Sequence, residues 1–134
     1  ITDTGEAIKR ARSDTKIIAA EPENAAMLSG NEWSPHKIQG WTPDFIPGVL
    51  NKDIADEIVP VADDASIANA LRLASEEGIF VGVSAGATLT AALTVAENAP
   101  GNSTLLVLLS DMGQRHESIL LIARIRDNSD EEIR

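Results

Sequence analysis

Ser84 sits at the centre of Gly82-Val83-Ser84-Ala85-Gly86, after the apolar run Ile79-Phe80-Val81 and before Ala87-Thr88-Leu89-Thr90. A hydroxyl in a Gly-x-Ser-x-Gly turn supports two chemistries. As a nucleophile it needs a base and an acid behind it, and Asp111 and His116 follow in the chain order Ser, Asp, His. Those two lie close together in sequence, with no strand or long loop between them to aim both at Ser84. As a ligand-orienting group the hydroxyl needs no base. The free amides of a helix start, and the close backbone approach that glycine permits, then make the turn a seat for polar ligands. The plainest reading is a serine that only caps its helix.

A second concentration of reactive and aromatic side chains lies between Ser29 and Gly48, which holds His36, Lys37, Gln39, Trp33, Trp41 and Phe45. Long irregular segments in compact domains are often functional. The alternative is a surface loop pinned by its aromatics. Metal chemistry has little to build on, because the chain has no cysteine and only two histidines, His36 and His116.

The elements that must position these groups alternate along the chain. Ile1 to Ser13 reads as a helix already under way at its first residue, as in a fragment of a longer protein. Lys16 to Pro22 is a short strand ended by proline, and Asn24 to Leu28 suits one short helix. Glu57 to Val61 is a second strand, placed near an edge by Pro60. Asp63 or Asp64 caps a helix with apolar positions Ile67, Ala70, Leu71 and Ala74, closed by Gly78. Ile79 to Val83 is a buried strand leading into the Ser84 turn and its helix, which Pro100-Gly101-Asn102 ends. Leu105 to Leu109 is an almost wholly apolar strand, followed by Ser110-Asp111-Met112-Gly113. The expectation is an α/β fold: a parallel sheet of about four strands with helices on both faces. Ser84 and Asp111 then fall at carboxyl ends of strands, the edge where open α/β sheets bind ligands.

Composition limits the partners. Of 134 residues 43% are hydrophobic, which indicates a globular core. The formal net charge of −10 argues against nucleic acid or an anionic membrane surface. No apolar run approaches the roughly 18 to 20 residues that span a bilayer, and no signal-peptide pattern is visible. A cytoplasmic protein is expected.

Three segments together carry a resemblance. Pro35-His36-Lys37-Ile38-Gln39-Gly40-Trp41-Thr42-Pro43-Asp44-Phe45-Ile46-Pro47, then Glu76 to Ala87, then Ser110-Asp111-Met112-Gly113-Gln114-Arg115 resemble the cysteine synthase (O-acetylserine sulfhydrylase) family. Its members are pyridoxal-phosphate enzymes sharing the fold of the tryptophan synthase β-subunit. The resemblance runs over residues 1–115 as the C-terminal part of such a domain, with 116–134 a divergent tail. It implies β-replacement, in which O-acetylserine and sulfide become cysteine and acetate. It also implies an amino-acid substrate and a homodimer in the full-length form.

The same resemblance implies roles for single residues. Ser84 matches the serine that bonds the pyridine nitrogen of the cofactor. A neutral hydroxyl there leaves the ring's electron withdrawal moderate. Gly40 matches a position of close backbone approach, and Asp111 a small polar residue near the ring. His36, Gln39 and Trp41 belong to the loop lining the substrate mouth, although the family more often has glycines where this chain has Trp41 to Asp44. The family's covalent cofactor lysine, its substrate-carboxylate loop and its phosphate cup all lie upstream of the segments matched. The four lysines, Lys9, Lys16, Lys37 and Lys52, sit in other contexts. The resemblance therefore assigns no catalytic residue and no metal ligand to this chain, and implies that it is inactive without the N-terminal half of the enzyme. A serine hydrolase built on Ser84, and a non-catalytic remnant or binding module, are the competing readings.

Overall fold

The computed structural model describes residues 1–110 together with Met112 and Gly113. Among them the chain forms helix α1 (Thr2–Ala11), strand β1 (Ile18–Pro22), strand β2 (Glu57–Val61), helix α2 (Asp63–Glu77) and helix α3 (Val83–Asn98), with single 3-10 turns at Glu23–Ala25 and Lys52–Ile54. β1 and β2 pair in parallel, with Ile18 opposite Glu57 and Pro22 opposite Val61. The fold is α/β, as expected, but the sheet is smaller than expected.

Two of the four anticipated strands are not strands among the described residues. Ile79 to Val83 makes only one antiparallel bridge, Val81 to Met112, supported by Gly113 N–H donating to the Phe80 carbonyl at 3.3 Å. Leu105 to Leu109 has strand composition but no ladder, and Leu106 is 93% exposed. A strand exists only where a neighbour accepts and donates its backbone bonds, and no described segment lies alongside these two as one. The expected helix over Asn24 to Leu28 contracts to the 3-10 turn. The crossover from β1 to β2 is thus irregular chain, not an α-helix.

α2 and α3 form the most extensive contact between elements, and α3 also touches both strands. Val59, Val61, Ile67, Ala70, Val81, Val83, Ala85, Ala87 and Ala91 make the core, joined by Ile38 from the long loop. The two helices meet closely at Gly86, where a Cβ would fall 2.0 Å from the Ser66 carbonyl oxygen and 2.8 Å from the Ala70 Cβ. Only glycine permits that approach. Asn69 Nδ2 donates to Thr90 Oγ1 across the same interface at 2.9 Å.

Helix ends follow the sequence only partly. Gly78 closes α2 in the left-handed region, with Gly78 N–H and Ile79 N–H bonding back to Ala74 and Leu73. Neither Asp63 nor Asp64 caps α2, whose N-cap is Ala62 with no side-chain bond. Both carboxylates are drawn to Lys37: Asp63 Oδ2 accepts from its backbone N–H at 2.9 Å, and Asp64 Oδ1 from its ammonium at 3.2 Å.

Candidate functional site

Val81 to Ala87 is buried without a break, and Ser84 is 8% exposed in the first turn of α3. The N-cap of that helix is Gly82, so Ser84 is not the cap. Its hydroxyl instead donates to the Gln39 carbonyl at 3.2 Å, across 45 residues of sequence. That bond corrects the open setting that a strand-end hydroxyl suggests: Ser84 Oγ is turned onto the long loop and not toward an open cleft.

The loop reaches Ser84 because three carboxylate and hydroxyl anchors hold it. Glu21, at the end of β1 and 1% exposed, accepts from Leu28 N–H at 2.9 Å, Ser29 N–H at 3.0 Å and the Ser29 hydroxyl. Asp63 then holds the Lys37 backbone, and Ser84 holds Gln39. Between the last two, Ile38 is fully buried in the core. Further along, the Thr42 carbonyl receives Trp33 Nε1 at 3.0 Å and lies 3.4 Å from His36 Nε2. Thr42 has φ 36°, a conformation that costs a β-branched residue about 1–3 kcal/mol. The stretch from Leu28 to Gln39 is thus tied to β1, α2 and α3 in turn.

Of the residues singled out from sequence, Ser84, Gln39 and Gly40 come together, and half-buried Trp41 packs against the core beside them. His36 turns to Thr42 and is not the partner of Ser84. Asp111 and His116 lie outside the described residues. The chain near Asp111 nonetheless returns to the Ser84 helix: Thr88 Oγ1 donates to the Leu108 carbonyl at 2.9 Å, and Met112 bridges Val81. Glu21 and Asp63 were not read as site residues. Glu21 carried a signal, a carboxylate inside an otherwise apolar strand, which must find donors when buried.

Two features fit a flat aromatic cofactor. A hydroxyl can exchange a carbonyl for a ring nitrogen by turning its O–H bond, with Oγ unmoved. Gly40, next to Gln39, has φ 81°, and a Cβ built there meets nothing within 4 Å, so space adjoins that backbone. Among the described residues Lys9 is paired with Asp56 and Lys37 with Asp64, so neither ammonium is free for a cofactor.

Comparison with known proteins gives the chain's family. The family model described as pyridoxal-phosphate dependent enzyme matches residues 2–111. O-ureido-L-serine synthase of Streptomyces lavendulae is 44% identical over 131 residues, covering 98% of this chain and 40% of that protein. A probable cysteine synthase of Bacillus subtilis (strain 168) is 39% identical over 118 residues, covering 88% of this chain and 38% of that protein. The crystal structure of cysteine synthase from Entamoeba histolytica superposes with a TM-score of 0.82 at 36% identity, over 87% of this chain and 35% of that one. The chain thus spans about 40% of the length of the curated relatives it matches. With a buried Gly-x-Ser-x-Gly turn tied to the His-Lys-Ile-Gln-Gly loop, and a family match over residues 2–111, this chain belongs to the pyridoxal-phosphate dependent enzymes.

Proposed function

We propose that the full-length protein catalyses β-replacement on an O-substituted L-serine, and that this chain supplies one wall of the cofactor and substrate site. The observation that carries the reading is the Ser84 hydroxyl bonded to Gln39. It joins the turn assigned to the cofactor ring to the loop assigned to the substrate mouth. Bound pyridoxal phosphate acts as an electron sink for the substrate α-carbon. Ser84 would face the ring nitrogen as a neutral partner. Gly40 leaves room beside the ring, and Asp111 is assigned to the ring's surroundings by resemblance alone. His36, Gln39 and Trp41 would border the substrate. Val81 to Ala87 keep water from the rear of the site by burial.

In this reading the amino-acid substrate is O-acetylserine and sulfide is the incoming nucleophile, giving cysteine and acetate. A second outcome has a specific observation behind it: the relative at 44% identity is an O-ureido-L-serine synthase. A ureido-bearing oxygen nucleophile would then replace sulfide. The reading also takes the protein to be a cytoplasmic homodimer, with the missing N-terminal half completing the site. That half would bring the lysine and phosphate cup, and the isolated chain would be inactive.

The test uses the full-length protein loaded with cofactor and given O-acetyl-L-serine. Acetate release and the amino-acid product are measured with sulfide and, separately, with hydroxyurea. Cysteine as the dominant product supports the sulfide reading, and O-ureido-L-serine supports the second. Absence of acetate release with either nucleophile refutes both.

A further inference from the structure

Between Gly40 and Thr42 the long loop bends twice through the left-handed region, with φ 81° at Gly40 and φ 36° at Thr42. Glycine adopts that conformation freely. A β-branched threonine is strained in it, and the strain persists only where neighbouring contacts hold the backbone in place. Among the described residues no other non-glycine has a positive φ. Trp41, between the two bends, packs half-buried against the core, and its N–H donates to the Ile38 carbonyl at 3.3 Å. The strained bend therefore follows directly on the residues that stand beside Ser84.

Two donors converge on the carbonyl of the strained residue. Trp33 Nε1 donates to it at 3.0 Å, and His36 Nε2 lies 3.4 Å from the same oxygen. A carbonyl only accepts, so in the second contact the ring proton sits on Nε2. The shorter bond is that of Trp33, and it closes residues 33–42 into a ring around the buried Ile38. Trp33 is itself 41% exposed. With that much of its ring in solvent, packing is a weak reason for a tryptophan here. The indole N–H is the group that another aromatic ring could not supply.

We propose that Trp33 is a positioning residue of the substrate mouth: its indole N–H holds Thr42 in the strained bend and so fixes Trp41 and Gln39 beside Ser84. Before Gly40 the segment is already tied, by Asp63 to the Lys37 N–H and by Ser84 to the Gln39 carbonyl. After Gly40 the tie falls on the Thr42 carbonyl. Without it Thr42 relaxes to an ordinary negative φ, and Trp41 swings with the chain about Gly40, which is free to turn. What the mouth binds rests on the β-replacement reading, whereas the hold on Thr42 does not.

The test compares the full-length protein, loaded with pyridoxal phosphate, with its Trp33→Phe variant, which keeps an aromatic ring and loses the donor. Hydrogen exchange at residues 39–42 should be faster in the variant, while exchange in α2 and α3 matches the parent and shows the fold intact. KM for O-acetyl-L-serine should rise about three- to tenfold, the scale of one neutral hydrogen bond, with a smaller change in kcat. The same replacement is then made in a Thr42→Gly background. Glycine needs no clamp at that φ, so there Trp33→Phe should alter KM by less than about twofold. A KM effect of equal size in both backgrounds would show that Trp33 acts through packing, and would overturn the proposal. So would unchanged exchange at residues 39–42, or a loss confined to kcat. Exchange requires no turnover, which separates the two failures: faster exchange in the variant of a parent that releases no acetate overturns the β-replacement reading and supports the hold on Thr42.

Discussion

Ser84 shows how one hydroxyl is assigned by its partner. A nucleophilic serine needs a histidine within about 2.6–3.2 Å, whereas Ser84 spends its proton on a backbone carbonyl. If it serves the cofactor ring, Ser84→Ala in the full-length enzyme should shift the cofactor absorption spectrum. Turnover should fall about ten- to a hundredfold, the loss of one strong hydrogen bond. A fluorophosphonate probe should leave Ser84 unmodified, and covalent labelling found by peptide mapping would favour the hydrolase. Glu21 acts at the same scale but through the loop. Glu21→Gln places an amide NH2 opposite donors that now find a carboxylate, at a cost of about 1–3 kcal/mol. Both tryptophans, Trp33 and Trp41, lie in the loop that Glu21 anchors. Their fluorescence should therefore change at denaturant concentrations where circular dichroism still reports intact helices.

Elements are joined at two places where single atoms decide the fit. Gly86→Ala would force α2 and α3 apart, because the new methyl meets the Ser66 carbonyl and not a flexible side-chain end. The loss should reach or exceed the upper end of the 1–3 kcal/mol or so typical of overpacking, read as a lower denaturation midpoint. At the other end of the sheet, Asp56 ties α1 to the start of both strands. It receives Lys9 Nζ at 2.8 Å and Ile17 N–H at 2.7 Å, while its own N–H donates to the Ile17 carbonyl. The Lys9 hydrogen bond, then that from Ile17, holds its carboxyl below the usual carboxylate value. A group lowered in the folded state stabilises the fold above its unfolded pKa of about 3.9 and loses that contribution as pH falls through the lowered value. Asp56→Asn should therefore melt earlier than the parent at neutral pH. The gap should close as the pH is taken below about 4, and a gap that persists in acid would show the effect is not electrostatic.

Among the described residues, the densest run of exposed apolar side chains lies between Leu105 and Met112. Leu106 and Leu108 are 93% and 76% exposed, with Leu105, Leu109 and Met112 also open. Contiguous apolar surface of this kind drives association. The isolated chain should self-associate in sedimentation equilibrium despite its charge of −10. Replacing Leu106 and Leu108 together by lysine should shift it toward monomer without loss of helix content. A clean monomer over a wide concentration range would count against this.

Local patterns determined much of the architecture. β2 has the bounds read from Glu57 to Val61, Gly78 ends α2, and α3 follows the Ser84 turn, because propensity, glycine conformation and apolar periodicity act over a few residues. The three-segment motif sufficed to place the chain among the pyridoxal-phosphate dependent enzymes. Strandedness at Ile79–Val83 and Leu105–Leu109 was not decided locally, since a strand needs a partner for its backbone groups and apolar composition cannot provide one. The same holds for Asp63, which has the character of a helix cap but is held by the Lys37 amide 26 residues away. Only the folded chain could show that Ser84 meets Gln39. Hydrogen bonds between residues far apart in sequence leave no periodic trace, and they form only once Ile38 is buried and the loop is pressed onto the first turn of α3.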